Sequence, residues 1–291
     1  MGLRSAGVTA RRAVITGASR GLGRHLAERF WREGFSLVLV ARDLRALEVL
    51  RDSLPPATGR DVELFACDFA DAAQVARFAA EVTARWSRLD ALVNNAAIQG
   101  PVGPLTDNDP EAWAICLQVN LLAPVALCRA FIPLLAASGA GAILNLSGGG
   151  ATGPRPNFTA YASAKAGLAR FGETLAGEVA PLVTVNALAP GAMKTAMLEQ
   201  VLHEGRQAAG AREYEIAAKV FEAGGASMDA VADLAVFLCS DRARRITGKL
   251  ISAVWDKWAD WPDHADVLEK TDLYTLRRIT GRDRDCAWGD K

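Results

Sequence analysis

The sequence has few of the residues that crosslink a chain or bind metal ions. It contains five cysteines and three histidines among 291 residues. The cysteines are odd in number and scattered, and most lie in apolar stretches, which is typical of small core residues in a reducing compartment. The histidines are isolated, so they cannot form a metal site with ordinary ligand spacing. We therefore expect no disulfide framework, no metal and a cytoplasmic protein.

The sequence also lacks an excess of charge of either sign and any long hydrophobic run. Lys+Arg and Asp+Glu are both 33, so no net field attracts nucleic acid or an anionic membrane. No stretch approaches the roughly 18 uninterrupted apolar residues of a membrane span, and the first residues lack the pattern of a signal peptide. We expect neither nucleic acid nor membrane as a partner. The length and the 51% hydrophobic content suit one large soluble domain.

Short apolar runs alternate with longer helical patterns along the chain. The candidate strands are 13–15, 36–40, 63–67, 91–93, 142–146, 183–187 and 250–254. One helix start is explicit, with Asp109 as N-cap and Pro110 in the first turn. This alternation predicts a single-domain α/β fold, a doubly wound parallel sheet of seven strands flanked by helices, with ligands at the carboxyl ends of the strands.

The first candidate strand runs into a glycine-rich turn, TGASRGLG at 16–23, and then into an apolar helical pattern. This context suits a dinucleotide, because the turn lets the backbone approach a pyrophosphate and the helix start supplies free N–H groups. The spacing is Gly-x-x-x-Gly-x-Gly. A tight strand-to-helix turn without a ligand is the alternative interpretation.

Tyr161 and Lys165 are four residues apart in a helical pattern, so they share a helix face. An ammonium beside a phenol favours the phenolate, and we expect it to lower the tyrosine pKa so that the phenol exchanges a proton near neutral pH. Such an exchange interconverts an alcohol and a carbonyl when a cofactor carries hydride. By itself, the pair also fits a solvated helix face.

Taken together and in order, five motifs resemble the short-chain dehydrogenase/reductase family. They are the 16–23 turn, Asn94-Asn95-Ala96, Asn120, Tyr161-x-x-x-Lys165 and the segment NALAPG at 186–191. The likeness runs from about Arg12 to about Val254. It implies a Rossmann-type fold and an oxidoreductase that transfers hydride between a nicotinamide and a carbonyl or secondary alcohol. Ala97 stands where the family usually has glycine after Asn-Asn-Ala.

The resemblance also assigns roles to individual residues. The implied catalytic residues are Asn120, Ser147, Tyr161 and Lys165, with Tyr161 as proton donor or acceptor. The implied cofactor-binding residues are Gly17, Ser19, Arg20, Gly21, Leu22, Gly23, Arg42, Asp68, Asn94, Tyr161, Lys165, Pro190, Gly191 and Thr195. In the family, Asp68 matches a contact to the adenine, and Asn94 matches a turn asparagine that fixes the central sheet beside the cofactor. The asparagine at position 120 holds a water that links the active-site lysine to bulk solvent; a helix kink or a satisfied core asparagine is the alternative.

The end of the second candidate strand indicates the cofactor. Ala41 stands where an acidic residue would bind the free 2′-hydroxyl of NAD, and Arg42 follows it. Arg42 and Arg20 can converge on a 2′-phosphate, so we expect NADP(H). Asp43 could partly neutralise Arg42, and both arginines could also be solvated surface charges.

The serine expected by the family is displaced. Thirteen residues before Tyr161 lies Gly148, whereas Ser147 is one residue early. A strand side chain one residue out of register points to the opposite face, although the glycines at 148–150 can re-aim the chain. Ser147 is therefore one candidate for binding the substrate oxygen; Thr152, Thr159, a backbone N–H of the glycine run, or no group at all are the others.

The predicted organisation is an N-terminal extension at 1–11, an NADP(H)-binding domain at 12–255 with a substrate lid at 193–225 that is mobile until ligand binds, and a C-terminal extension at 256–291. Four of the seven tryptophans lie at 255 or beyond, so we expect this segment to pack, either along the substrate pocket of its own or a neighbouring subunit or as surface cladding.

Beside a small carbonyl or alcohol substrate, we expect a homodimer or homotetramer as the assembled form. The helices carrying Asn120 and Tyr161 offer more apolar residues than one core face needs, and in the family such helices pack against symmetry mates. These residues are Leu121, Leu122, Val125, Phe131, Leu168 and Phe171. Two functional alternatives remain: a nicotinamide-using enzyme without net redox, such as an epimerase or a dehydratase-like enzyme, and a catalytically silent NADP(H)-binding sensor or scaffold.

Overall fold

The central element of the computed structural model, which describes residues 10–286, is a parallel sheet of seven strands. The strands are β1 (Arg12–Thr16), β2 (Ser36–Ala41), β3 (Val62–Ala66), β4 (Ala91–Asn94), β5 (Gly141–Leu146), β6 (Val183–Ala189) and β7 (Leu250–Ser252). Their order is β3-β2-β1-β4-β5-β6-β7. The order therefore reverses between β1 and β4, which is where doubly wound sheets bind ligands. The predicted fold class is confirmed; residues 1–9 of the predicted N-terminal extension lie outside the described range.

Helices cover both faces of the sheet, so the strands are buried as nearly continuous apolar runs. Between residues 10 and 286 the α-helices are α1 (Gly21–Arg32), α2 (Leu44–Ser53), α3 (Ala72–Arg85), α4 (Pro110–Leu117), α5 (Ala123–Ala137), α6 (Thr159–Val179), α7 (Ala196–Ala209), α8 (Ala211–Ala223), α9 (Met228–Leu238) and α10 (Ala265–Lys270). Helices α1, α2 and α9 pack on one face of the sheet, and α3, α5 and α6 pack on the other.

Aspartates begin three of the helices. The side chains of Asp43, Asp71 and Asp109 accept hydrogen bonds from backbone N–H groups in the first turns of α2, α3 and α4. Each such cap stabilises a helix by about 1 kcal/mol, because it satisfies donors that have no partner within the helix. The predicted cap at Asp109 and the first-turn Pro110 are both confirmed.

Helices α4 and α5 form one continuous helical segment through a π-helical turn at Gln118–Leu122. Within the described residues, Pro110–Ala137 is long and apolar enough to cross a membrane by length and composition alone. In this fold its apolar side chains pack inside the protein, because Leu127, Phe131 and Leu135 are buried against the sheet and α3. The π turn matters for the site because it contains Asn120.

The chain after β7 folds back over the outer edge of that strand. The backbone N–H of Leu250 donates to the Tyr274 carbonyl at 2.8 Å. The ammonium of Lys249 is buried and donates to the carbonyls of Thr271 and Leu273. The ring centroids of Trp261 and Tyr274 are 4.2 Å apart. This part of the tail therefore supplies partners to an edge strand that would otherwise expose its backbone groups.

Candidate active site

A cleft with a volume of about 580 Å³ opens at the carboxyl ends of the strands. Most residues that the sequence analysis selected line it. They are Gly17, Ser19, Arg20, Gly21, Leu22, Gly23, Arg42, Asp68, Ser147, Tyr161, Lys165, Pro190 and Thr195. Asn94, Asn120 and Gly191 are not among the lining residues. The strands gather these residues because parallel strands present their carboxyl ends at one edge of the sheet.

The glycine turn between β1 and α1 requires its glycines for different reasons. Gly17 has a φ of +65°, and a Cβ there would lie 2.9 Å from the Cα of Ala96. A Cβ on Gly23 would overlap the carbonyl oxygen of Gly17 and lie 2.6 Å from the Asn95 Nδ2. A Cβ on Gly21 would meet nothing within 4 Å, so this glycine provides its φ of +53° and an open face. The turn thus holds α1 tightly against β1 and leaves the approach from solvent free.

The N-terminus of α1 carries the chemistry expected of an anion site. Its N-cap residue, Arg20, makes no capping hydrogen bond through its side chain, and the first turn contains no acidic residue. The first N–H groups of this helix and its positive dipole end therefore face the cleft without a neutralising carboxylate. A cofactor pyrophosphate fits this arrangement.

Asn95, and not Asn94, joins the glycine turn to β4. Asn95 donates through Nδ2 to the Thr16 carbonyl at 2.9 Å, and the hydroxyl of Thr16 accepts the backbone N–H groups of Asn95 and Ala96, each at 2.9 Å. Asn94 is buried, and its Nδ2 donates to the Asn145 Oδ1 at 2.9 Å. The Asn94 side chain therefore lies inside the sheet layer and fixes the central strands, which is the role that the resemblance implied; direct contact of Asn94 with the cofactor stays a prediction. Thr16 belongs to the predicted glycine turn, but the role of its hydroxyl was missed, because its partners lie 79 and 80 positions further along the chain.

The adenosine end of the cleft carries exposed charge. Arg20 and Arg42 are both exposed and line the cleft, and neither forms an ion pair with another described residue. Asp43, which could have neutralised Arg42, instead caps α2 by accepting the Ala46 N–H at 3.0 Å. Asp68 lines the same end and accepts the Ala70 N–H. Two guanidinium groups therefore remain available to an anion here.

Tyr161 and Lys165 lie on one face of α6, and both are buried at the cleft. The Lys165 Nζ is 5.7 Å from the centroid of the Tyr161 ring and donates to the Leu146 carbonyl at 2.6 Å. Burial lowers the pKa of Lys165 to about 8. Burial also raises the pKa of Tyr161 to about 12, although the nearby Arg155 guanidinium opposes this rise. The expectation of a lowered tyrosine pKa is wrong here, because desolvation of the phenolate outweighs the nearby positive charge.

The surroundings of Gly148 explain why the serine stands one residue earlier, at position 147. A Cβ on Gly148 would lie 2.5 Å from the Tyr161 hydroxyl oxygen, so the tyrosine occupies the space that a side chain at 148 would need. Ser147 follows the end of β5, is buried, and lines the cleft, and its Oγ has no hydrogen-bond partner among the described residues. The Thr159 hydroxyl accepts the indole N–H of Trp113. Thr152 is exposed and does not line the cleft.

Asn120 lies behind the cleft wall, in the π turn. Its Oδ1 accepts the Ile98 N–H at 3.0 Å, and its Nδ2 donates to the Ile98 carbonyl at 2.8 Å and to the Cys116 Sγ at 3.1 Å. Asn120 is completely buried. The side chain therefore fixes the loop after β4 to the helix within the π turn; the role of Asn120 in holding a water near Lys165 stays a prediction. Cys116, which had no role in the sequence analysis beyond the core, lies four positions before Asn120 and accepts the hydrogen bond from its Nδ2.

The predicted lid consists of α7 and α8, which pack over Tyr161. Val201, Ala209 and Ala217 from these helices form a buried cluster with Phe158 and Tyr161. Gly191, just before the lid, has a φ of +81°, and a Cβ there would lie 2.6 Å from a methyl carbon of Val254. Gly191 therefore lies in a tight turn against Val254, which follows β7, and it does not line the cleft.

An ion pair joins the lid to the loop before α6. The Arg155 Nε lies 2.8 Å from a carboxylate oxygen of Glu213 in α8, and the two side chains are only 11% and 20% exposed. The Arg155 guanidinium also lies 3.8 Å from the centroid of the Phe158 ring and 5.4 Å from that of Tyr161. Neither residue carried a sequence signal.

The tail takes no part in lining this cleft. Among residues 255–286, none lies in the cleft wall. The interpretation that the tail walls the pocket of its own subunit is wrong for this range, because the tail packs on the β7 edge instead. Trp258 packs on Phe237 of α9, whereas Trp288 lies outside the described residues.

Comparisons with known proteins agree with this geometry. A family model described as short chain dehydrogenase matches residues 11–205. The uncharacterized oxidoreductase YciK of Escherichia coli (strain K12) is 31% identical over 186 residues, which are 63% of this chain and 74% of that protein. The short chain dehydrogenase tazN of Aspergillus terreus is 31% identical over 270 residues, 90% of this chain, but the chain spans only 56% of its length. A solved metagenomic short-chain oxidoreductase in complex with NADP matches with a TM-score of 0.66 and 30% identity, over 83% of this chain and 95% of that chain.

Proposed function

The chain belongs to the short-chain dehydrogenase family, and we propose that it is an NADP(H)-dependent oxidoreductase that interconverts a carbonyl and a secondary alcohol. One observation carries the proposal: an uncapped helix N-terminus and the buried Tyr161–Lys165 pair belong to the same cleft. The first fits a pyrophosphate, and the second offers a proton close to where a nicotinamide would end.

The proposed preference for NADP(H) follows from the charges at the adenosine end. Arg42 and Arg20 are exposed there without ion-pair partners among residues 10–286, and Ala41 cannot accept hydrogen bonds from a ribose hydroxyl through its side chain. A 2′-phosphate would make charge-assisted hydrogen bonds to the guanidinium groups. The NADP bound to the metagenomic relative supports the same choice.

When bound, the nicotinamide supplies or accepts the hydride, and the residues of this chain handle the proton and the substrate oxygen. Tyr161 is a phenol at neutral pH because its pKa is about 12, so it is ready to donate a proton to the oxygen of a carbonyl. Lys165 is mostly protonated at neutral pH, since its pKa is about 8, and its positive charge favours the tyrosinate left behind. The unpartnered Ser147 hydroxyl is the proposed second donor to the substrate oxygen. Asn120 positions Ile98 and the loop around it.

Cofactor titrations test the first half of the proposal. NADPH should bind more tightly than NADH. Arg42→Ala should weaken the binding free energy of NADPH by about 1–3 kcal/mol and leave that of NADH nearly unchanged. Arg45→Ala is the matched control, because Arg45 is an exposed arginine three residues further on that does not line the cleft. Equal dissociation constants for the two cofactors in the unmodified protein would contradict the proposed preference.

Turnover assays test the second half. NADPH mixed with a panel of ketones, with nicotinamide absorbance as the readout, should show oxidation that Tyr161→Phe abolishes while NADPH affinity is kept. Cofactor binding without turnover of any ketone or alcohol would favour the silent sensor or scaffold. Conversion of a substrate without net change in absorbance would favour the epimerase or dehydratase-like alternative.

We also propose a cytoplasmic homodimer or homotetramer. Of the apolar residues expected at the interface, Phe131 and Leu168 are buried within the subunit, whereas Leu122 is 51% exposed. Leu122 lies in the π turn, on the segment that continues into α5. A monomeric mass by light scattering at micromolar concentration would contradict the proposed assembly.

A further inference from the structure

Charge is distributed unevenly in the cleft. Its charged residues that are exposed or half-buried are Arg20, Arg42, Asp43 and Asp68, and all four belong to the β1 turn or follow β2 and β3. The strand order places β2 and β3 on one side of β1, and β4, β5 and β6 on the other. The charged groups therefore lie at one end of the cleft, the end proposed for the adenosine and its phosphate. Among described lining residues, Lys165 is the one charged group elsewhere, and its ammonium is buried and bonded to Leu146.

The end around Tyr161 is apolar. It is lined by Ile98 from the loop after β4, Ile115 from α4, and Met193 and Met197 from the lid. Ile115 is 37% exposed and lines the cleft, so its side chain is accessible to a ligand there. The two methionines are flexible and polarisable, so this wall can adapt to apolar groups of different shape.

The cations and hydroxyls close to this end are already engaged. The Arg155 guanidinium lies 5.4 Å from the centroid of the Tyr161 ring, but it pairs with Glu213 and stacks on Phe158, and it does not line the cleft. The Thr159 hydroxyl bonds to Trp113. A substrate carboxylate or phosphate in this space would lose its hydration without gaining an ionic partner, which is strongly unfavourable.

Polar recognition of the substrate oxygen is concentrated at Tyr161, since the Thr195 hydroxyl, which also lines the cleft, donates to the Met193 carbonyl at 3.5 Å. The Tyr161 hydroxyl and the Ser147 Oγ, which has no partner in the described range, suit a single substrate oxygen. A polyhydroxylated substrate would leave its other hydroxyls against Ile98, Ile115 and the methionines. An apolar remainder would instead gain about 25 cal/mol for each Å² removed from water.

We propose that the substrate is an uncharged, largely apolar carbonyl compound, or the corresponding secondary alcohol, with one oxygen at Tyr161 and its hydrocarbon part between α4 and the lid. This inference rests on the proposed function of the cleft. It excludes keto acids, phosphorylated sugars and polyols as preferred substrates.

A matched pair of probes tests the proposal. Octan-2-one and 7-oxooctanoate share a methyl ketone and differ in a terminal carboxylate. Calorimetric titration into the NADP⁺-loaded protein measures binding, and NADPH oxidation measures turnover. We expect octan-2-one to bind about a hundredfold more tightly and to show a correspondingly larger kcat/KM, because the carboxylate would be buried unpaired.

A charge introduced into the wall should reverse this preference. Ile115→Arg should weaken the binding of octan-2-one at least tenfold and strengthen the binding of 7-oxooctanoate. Val267→Arg, at an exposed position of α10 that does not line the cleft, should change neither affinity. Calorimetry separates the two proposals: tight binding of octan-2-one without NADPH oxidation would contradict the oxidoreductase function and leave the substrate class standing. Equal or tighter binding of 7-oxooctanoate to the unmodified protein, or no binding of octan-2-one, would overturn the substrate class.

Discussion

The buried ammonium of Lys165 should make the folded protein less stable, and methionine is the substitution that measures the effect. Lys165 is 2% exposed, and burial lowers its pKa from 10.5 to about 8. At about 1.4 kcal/mol per pKa unit, this lowering corresponds to about 3 kcal/mol of unfolding free energy wherever the group is charged in both states. Methionine has a similar length and carries no charge, so the substitution removes the free-energy cost of burying the ammonium.

Part of the gain is offset by a lost hydrogen bond. The Lys165 Nζ donates to the Leu146 carbonyl at 2.6 Å, and such a bond contributes about 1 kcal/mol net. We therefore expect Lys165→Met to raise the free energy of unfolding by about 2 kcal/mol at pH 7, while it removes the proposed catalytic ammonium. A more stable but inactive variant is the expected product.

The pH dependence of this difference has a defined sign. The folded-state pKa of about 8 lies below the unfolded value of 10.5, so the unfolded chain binds more protons between these two pH values. The unfolding free energy of the unmodified protein should therefore rise with pH across this window relative to Lys165→Met. Below about pH 8 Lys165 is charged in both states, so its burial destabilises the folded protein by the full amount. The unfolding free energy of Lys165→Met should therefore exceed that of the unmodified protein by the most in this range.

Urea titrations followed by tryptophan fluorescence, at pH 7 and pH 9.5, measure both effects. Lys219→Met serves as the control, since Lys219 is an exposed lysine on α8 whose replacement should leave stability unchanged within about 0.5 kcal/mol. An unfolding free energy of Lys165→Met equal to or below that of the unmodified protein at pH 7 would refute the reasoning. So would a difference that does not shrink at the higher pH.

Two further predictions concern packing. Gly23→Ala should lower the free energy of unfolding by more than about 3 kcal/mol, because its Cβ would overlap the Gly17 carbonyl oxygen. Gly21→Ala should lower it by only about 1 kcal/mol, because the new Cβ meets no atom and only the positive φ is unfavourable. Equal losses for the two variants in urea titrations would show that the structure relaxes around the Gly23 contact. A double-mutant cycle on Arg155 and Glu213 should give a coupling of about 1 kcal/mol in unfolding free energy, since both side chains are largely buried; additive effects would mean that the ion pair does not hold the lid.

The features that could be predicted from the sequence are those written in neighbouring residues. The glycine turn, the four-residue spacing of Tyr161 and Lys165, and the cap at Asp109 each depend on a few consecutive positions and on the geometry of one turn or helix. The sheet could be predicted because its strands are buried on both faces and read as apolar runs.

The features that were missed join residues far apart in the chain. Asn95 and Thr16 are 79 positions apart, and Arg155 and Glu213 are 58 apart. Their contacts depend on how whole elements pack, which no local pattern records. The direction of the Tyr161 pKa shift was wrong for a related reason: the neighbouring lysine is visible in the sequence, whereas the burial that raises the pKa comes in part from the lid and the cluster around Phe158.

The Thr16 bridge has a consequence for amide hydrogen exchange. The N–H groups of Asn95 and Ala96 donate to the Thr16 hydroxyl, and that of Ile98 donates to the Asn120 side chain. These amides depend on side chains of β1 and of the π turn and not on a strand ladder. The exchange rates of these three amides should therefore change together when a cofactor binds at the glycine turn. Ile98 lines the cleft, so the change should extend from Asn95 to the wall proposed to contact the substrate.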